Sequence, residues 1–108
     1  MEHYEVTPSA DKDLGEIFAY VAEVLKVPDT ATKLVSRIYD DLKSLSSMPR
    51  RYPLSRDAFL AKQGFRIMPT ESYLAFYIVD DVDKRVTVHR VLYARRQYAT
   101  LFSTDENA

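Results

Sequence analysis

The chain has no cysteine, and among its 108 residues there are two glycines and two histidines. Each scarcity closes off a class of chemistry. Without cysteine there are no disulfides, no thiolate metal ligands and no cysteine nucleophile, a usage compatible with a reducing compartment. Two glycines exclude a glycine-rich phosphate loop. His3 and His89 stand far apart, and no His-Glu-x-x-His pattern occurs. No apolar run approaches the ~18 residues of a membrane span, and the opening "MEHYEVTPSA" lacks the basic and apolar regions of a signal peptide. The expectation is a soluble, cytoplasmic protein without a membrane segment, metal or cofactor.

The residues that are present describe one domain. A chain of this length buries roughly 65% of its unfolded surface, enough for one core. The apolar share of 46% and charged share of 29% are ordinary for a globular protein. The net charge of −1 conceals a division. Residues 1–49 hold nine acids and five bases, a balance of −4, whereas residues 50–98 hold ten bases and five acids, +5. The last ten residues add Asp105 and Glu106. Such asymmetry fits a polyanion or an acidic protein partner unless the charges intermix on folding.

Periodicity gives the element order. "YEV" at 4–6 alternates as a short strand, and Thr7-Pro8 is a helix-start signal, cap followed by proline. Leu14, Ile17, Phe18, Val21, Val24 and Leu25 form one apolar stripe of a helix over roughly 8–26. After "KVPD", Ala31, Leu34, Val35, Ile38, Leu42 and Leu45 form a second stripe that ends before Pro49. So short a connection predicts an antiparallel helical hairpin. Residues 49–63 have no clean period and read as a loop, with room for one helical turn. "FRIMP" (65–69) alternates, "YLAFYIV" (73–79) is apolar on both faces like a central strand, and "RVTVHRVLY" (85–93) alternates again. Short connections make these three an antiparallel meander. The expected fold is α+β, in the order β-α-α-β-β-β with a possible short C-terminal helix. The hairpin packs on a twisted antiparallel sheet of about four strands.

Few motifs carry chemistry. Asp80, Asp81 and Asp83 lie together but lack the glycine and distal glutamate of a calcium loop. The serines show no nucleophile elbow. What stands out is "RVLYARRQYATLF" (90–102), which holds three arginines and two tyrosines and no acid to pair with them. Arg66 alternates with Phe65 and Ile67, so it points away from the face those two bury. Guanidinium forks onto phosphate oxygens, and a phenol or imidazole can shuttle a proton in metal-free RNA cleavage. The candidate catalytic residues are Arg66, Arg96, Tyr93, Tyr98 and His89; Arg90, Arg95 and Lys62 are candidates for binding a nucleic acid or another target. Tyrosines on strands also serve as packing residues, and exposed arginines are common.

Four stretches carry a family resemblance: "YEVTPSADKDLGEIFAYV", "LSSMPRRYP", "GFRIMPTESYLAFYIVDD" and "VTVHRVLYARRQYATLF". In that order, over about residues 3–102, the chain resembles the RelE/ParE toxins of bacterial type II toxin–antitoxin systems. The resemblance implies one toxin domain over 1–102, followed by a short polar tail at 103–108. It also implies a role in growth inhibition and plasmid stabilisation, with neutralisation by a cognate antitoxin. RelE-like members cut mRNA in the ribosomal A site without metal; ParE-like members share the fold and poison DNA gyrase. Arg66 matches the arginine of the family's second strand, and Arg96 a position just past the last strand. Where RelE-like nucleases carry an arginine in the third strand, this chain has Leu74. That departure favours gyrase or a divergent target over an mRNA interferase, with a non-toxic, autoregulatory binding module as a further alternative. Operator DNA would be bound only through the antitoxin. Tyr73, Phe76 and Tyr77 are expected to border an apolar groove that takes an amphipathic antitoxin segment.

Overall fold

The structure, a computed structural model, describes residues 3–95. Arg96, Tyr98 and the expected C-terminal helical turn lie outside the described residues.

Strand β1 (His3–Val6) ends at the Thr7-Pro8 signal. Thr7 is extended, and its hydroxyl accepts a hydrogen bond from the Ala10 amide at 3.2 Å, capping helix α1 (Pro8–Ala19). The same hydroxyl donates to the His89 carbonyl, and the Thr7 amide donates to the Val88 carbonyl, each at 3.0 Å. One residue therefore starts the helix and fastens it to the last strand. Helix α1 runs into a π-helical turn, Tyr20–Val24, in which the Leu25 amide reaches back to the Tyr20 carbonyl. The longer step rotates the residues at the end of the helix out of phase. Val24 and Leu25, expected on the buried stripe, are 63% and 52% exposed. Phe18, also expected there, lies before the π turn at the stripe's edge and is 40% exposed, while Leu14, Ile17 and Val21 are buried. Helix α2 (Pro28–Ser44) then buries Ala31, Ile38 and Leu42, as its stripe predicts. No described helix is long and apolar enough to cross a membrane.

Helix α3 (Ala58–Lys62) is the single turn foreseen in the loop, capped by the Asp57 carboxylate on the Leu60 amide at 3.1 Å. It leads into strands β2 (Phe65–Thr70), β3 (Tyr73–Asp80) and β4 (Arg85–Tyr93). The sheet order is β1-β4-β3-β2. The last three strands form the expected antiparallel meander. Strand β1, however, lies parallel to β4, with His3 opposite Arg85 and Val6 opposite Val88, so the sheet is mixed rather than wholly antiparallel. A tight turn forces antiparallel pairing, but β1 reaches its neighbour through the whole helical hairpin and carries no such constraint.

Both faces of the sheet are covered. On one, Ala10, Leu14, Ile17, Ile38, Leu42 and Leu45 pack on Met68, Ala75, Tyr77, Val86, Val88 and Val91. On the other, Leu60 from α3 closes over Phe65, Phe76 and Leu92, flanked by Ile67, Leu74 and Ile78. That is why β3 is apolar throughout. With so few glycines, three positions turn left-handed with ordinary side chains: Lys26 after the π turn, Glu71 between β2 and β3, and Lys84 between β3 and β4.

Candidate functional site

Arg66 does turn away from the face that Phe65 buries, but the side it turns to is not open water. Its guanidinium is half-buried and donates from Nη1 to the Tyr52 carbonyl at 2.7 Å. Arg51 lies over the Tyr52 ring, 5.4 Å from its centroid. Tyr77, opposite Arg66 in the register, donates its hydroxyl to the Pro49 carbonyl at 2.8 Å. Burial raises the Tyr77 phenol pKa, and the charges of Arg66 and Arg51 work against that rise. Arg50 bonds Asp81, which holds that carboxyl below its ordinary range. The result is a basic patch of Arg50, Arg51 and Arg66 along the 49–55 segment.

The expectation of unpaired cations fails for Arg90. Its Nε and Nη2 donate to the two carboxylate oxygens of Asp13 at 2.8 and 3.1 Å, and the side chains are only 17% and 8% exposed. Asp13 also accepts from the Val91 amide at 2.9 Å. Strand β1 pairs with β4 only as far as Val88, so this carboxylate takes over part of the exposed edge beyond it. The acid was absent from the 90–102 run because it comes from α1, 77 residues away in sequence. Its signal lay elsewhere: an acidic residue beside Leu14 on the buried stripe of α1. Arg90 thus holds the fold together and is not available to a target.

A register shift in β4 leaves His89 without an opposite residue, since Tyr77 pairs with Val88 and Phe76 with Arg90. The bulge switches the alternation, so that Val86 and Val88 face the helices before it and Val91 after it. His89 is half-buried with its ring edge-on to Phe65 at 5.4 Å; burial lowers its pKa, opposed by Glu5. Tyr93 is 41% exposed and sits edge-on to Tyr73, ring centroids 5.7 Å apart. Arg95 is exposed past the end of β4, and Lys62 is exposed in the last turn of α3.

Among the described candidates, Arg66 and Tyr93 do not converge. Arg66 faces Tyr77 and Tyr93 faces Tyr73, four positions apart on β3, roughly 13 Å of strand. Leu74 lies opposite Leu92 and Pro69, within the apolar face closed by α3. Among the described residues no group of three or more His, Cys, Asp or Glu could hold a metal ion.

One cavity of about 530 Å³ opens between the end of α1 with its π turn and the ends of β3 and β4. Glu16, Ile17 and Tyr20 line one side, and Tyr73, Leu92 and Tyr93 the other. Of the three aromatics expected to border a groove, only Tyr73 does; Phe76 and Tyr77 are fully buried by the two cores.

Comparison with known proteins assigns this architecture. Residues 4–98 match the family described as the ParE toxin of type II toxin–antitoxin systems, parDE. Among solved structures, the chain is similar to one of a chromosomal ParDE toxin–antitoxin system from P. aeruginosa, with TM-score 0.71 and 24% identity over 86% of this chain and 96% of that one. It is also similar to one from the RelBE2 complex of Mycobacterium tuberculosis, with TM-score 0.57 and 22% identity over 85% and 96%. A third, from the intact RelBE complex of E. coli, gives 0.55 and 20% over 89% and 100%. Comparison with curated protein sequences gives no match.

Proposed function

Since the chain belongs to the ParE toxin family of type II toxin–antitoxin systems, we propose that this toxin arrests growth through DNA gyrase or a divergent target rather than by cutting ribosome-bound mRNA, and that a cognate antitoxin neutralises it. The observation that carries the choice of target is the setting of Leu74. Metal-free RNA cleavage needs fixed cations where charge develops on the phosphate, and losing one such group lowers the rate by about 10²–10³. Here the strand position that would supply an arginine is filled by leucine, among Leu92, Phe76, Ile67 and Pro69. Arg90 cannot substitute, being held by Asp13, and Arg66 is engaged with the Tyr52 carbonyl. The antitoxin part of the reading is supported by the relatives of the same fold, which were solved as toxin–antitoxin systems or complexes.

The test is induction of the chain alone in a bacterial host, with growth, mRNA 5′ ends and cleavage of DNA by purified gyrase followed in parallel. Arrest with intact mRNA and trapped gyrase–DNA complexes is the expected result. Codon-phased mRNA cuts with unaffected gyrase would overturn it and direct attention to Arg96 with Tyr93, Tyr98 or His89. Unimpeded growth with stable folded protein would leave only a binding role.

A further inference from the structure

The cavity between α1 and the sheet has a lining that an apolar peptide groove does not require. Three phenols, Tyr20, Tyr73 and Tyr93, border it together with the carboxylate of Glu16. Tyr20 is 53% exposed and Tyr93 41%, so their rings are accessible, while Tyr73 is half-buried with the Tyr93 ring edge-on to it. The Tyr73 phenol pKa is raised by burial first, then by the neighbouring Tyr93 and Tyr20 phenols. Glu16 is exposed and has no hydrogen-bond or ion-pair partner among the described residues; Lys12, one turn earlier on α1, makes no bridge to it. Asp13 also borders the cavity, but its charge is balanced by Arg90, so the pair adds no net charge and Glu16 sets the sign.

Phenol rings around a cavity, beside a carboxylate with no partner among the described residues, are the chemistry that receives an organic cation. A guanidinium suits it better than an ammonium, because it is planar, stacks on rings, sheds water more readily and forks onto a carboxylate. We propose that Tyr20, Tyr73, Tyr93 and Glu16 form a cation site that takes the arginine side chain of a partner polypeptide. Of the charged residues that line the cavity, Asp13 is paired with Arg90, which leaves the Glu16 carboxylate as the complement to a cationic side chain. The exposed Val24 and Leu25, displaced by the π turn, offer apolar contacts to the residues flanking that arginine. The inference rests on the reading that a partner polypeptide neutralises this toxin, yet it is measured on the toxin alone.

The probe is N-acetyl-arginine amide, titrated into the isolated chain while amide and tyrosine-ring resonances are followed by NMR. N-acetyl-citrulline amide, its neutral isostere, is the control. The arginine compound is expected to shift the resonances of Tyr20, Tyr73 and Tyr93 and to saturate, with citrulline binding about tenfold more weakly or not at all. Glu16→Gln and Tyr20→Leu should each weaken the arginine compound, and spectra unchanged elsewhere would show that both variants remain folded. Equal binding of the two compounds, or no saturable shift, overturns the proposal. Much tighter binding to Arg95→Gln than to the natural chain overturns it differently, by showing that the chain's own arginine fills the site. Neutralisation by an antitoxin is scored separately by co-expression, so that loss of one reading is not mistaken for loss of the other.

Discussion

Asp13 and Arg90 show how much rests on two side chains whose sequence neighbourhoods give no hint of each other. Two charges with little access to water are tolerated because the geometry is two-pronged and the spare capacity of the carboxylate goes to the Val91 amide. Removing one partner strands the other. Asp13→Ala should lower stability by about 3 kcal/mol, the low end for a broken buried pair, because Arg90 keeps enough exposure to reach water. Urea unfolding measures it, and replacing both residues with apolar ones of similar size should recover much of the loss. His89 makes a second prediction, in pH. Burial depresses its folded pKa below the unfolded value of about 6.5, so the unfolded chain binds the proton more readily. The contribution of neutral His89 is complete above that value and declines as pH falls below it toward the folded pKa. Denaturant midpoints should therefore fall from pH 7.5 to pH 5.5, and His89→Gln should flatten that slope.

Elements were legible where burial and period agree. The stripe of α2 and the doubly apolar β3 were readable because each buries the residues its pattern marks, Ile38 and Leu42 in one and Ala75, Phe76 and Tyr77 in the other. The end of α1 was not, because a π turn keeps the composition of a helix and changes only its phase; Val24 and Leu25 fit the α period and still face water. The parallel placement of β1 was equally hidden, since no short connection encodes it. In the candidate site, the alternation around Arg66 gave its direction correctly, but its tie to the Tyr52 carbonyl depends on a loop without a period. Turn chemistry was obscured by the scarcity of glycine, because Lys26, Glu71 and Lys84 do not announce left-handed backbone. At Lys26, where a short exposed connection closes the hairpin, Lys26→Gly should stabilise the fold by about 0.5–1 kcal/mol by relieving the strain of a side chain at positive φ. A thermal melt would register the change, and a fall in midpoint would show that the lysine side chain holds the turn.

At the scale of the whole molecule, charge and topology work on different halves. Acids dominate the N-terminal half, bordering the tyrosine-lined cavity, and bases dominate the half that builds the 49–66 patch. The division seen in the linear sequence is partly undone by folding, because Arg85–Glu5 and Arg90–Asp13 pair charges of the two halves. Topology has another consequence, for synthesis. Among the described residues, strand β1 pairs only with a strand more than seventy residues downstream, and β4 is also the neighbour of β3 and the anchor of Thr7 and Asp13. At about 5–20 residues per second, the first strand waits several seconds for its partner to be made. Until then the apolar stripes of the helical segments lack the sheet they pack on. A nascent chain broken off before β4 would lack the strand to which β1, β3, Thr7 and Asp13 are all tied, so interrupted synthesis should leave the sheet open and the fold incomplete.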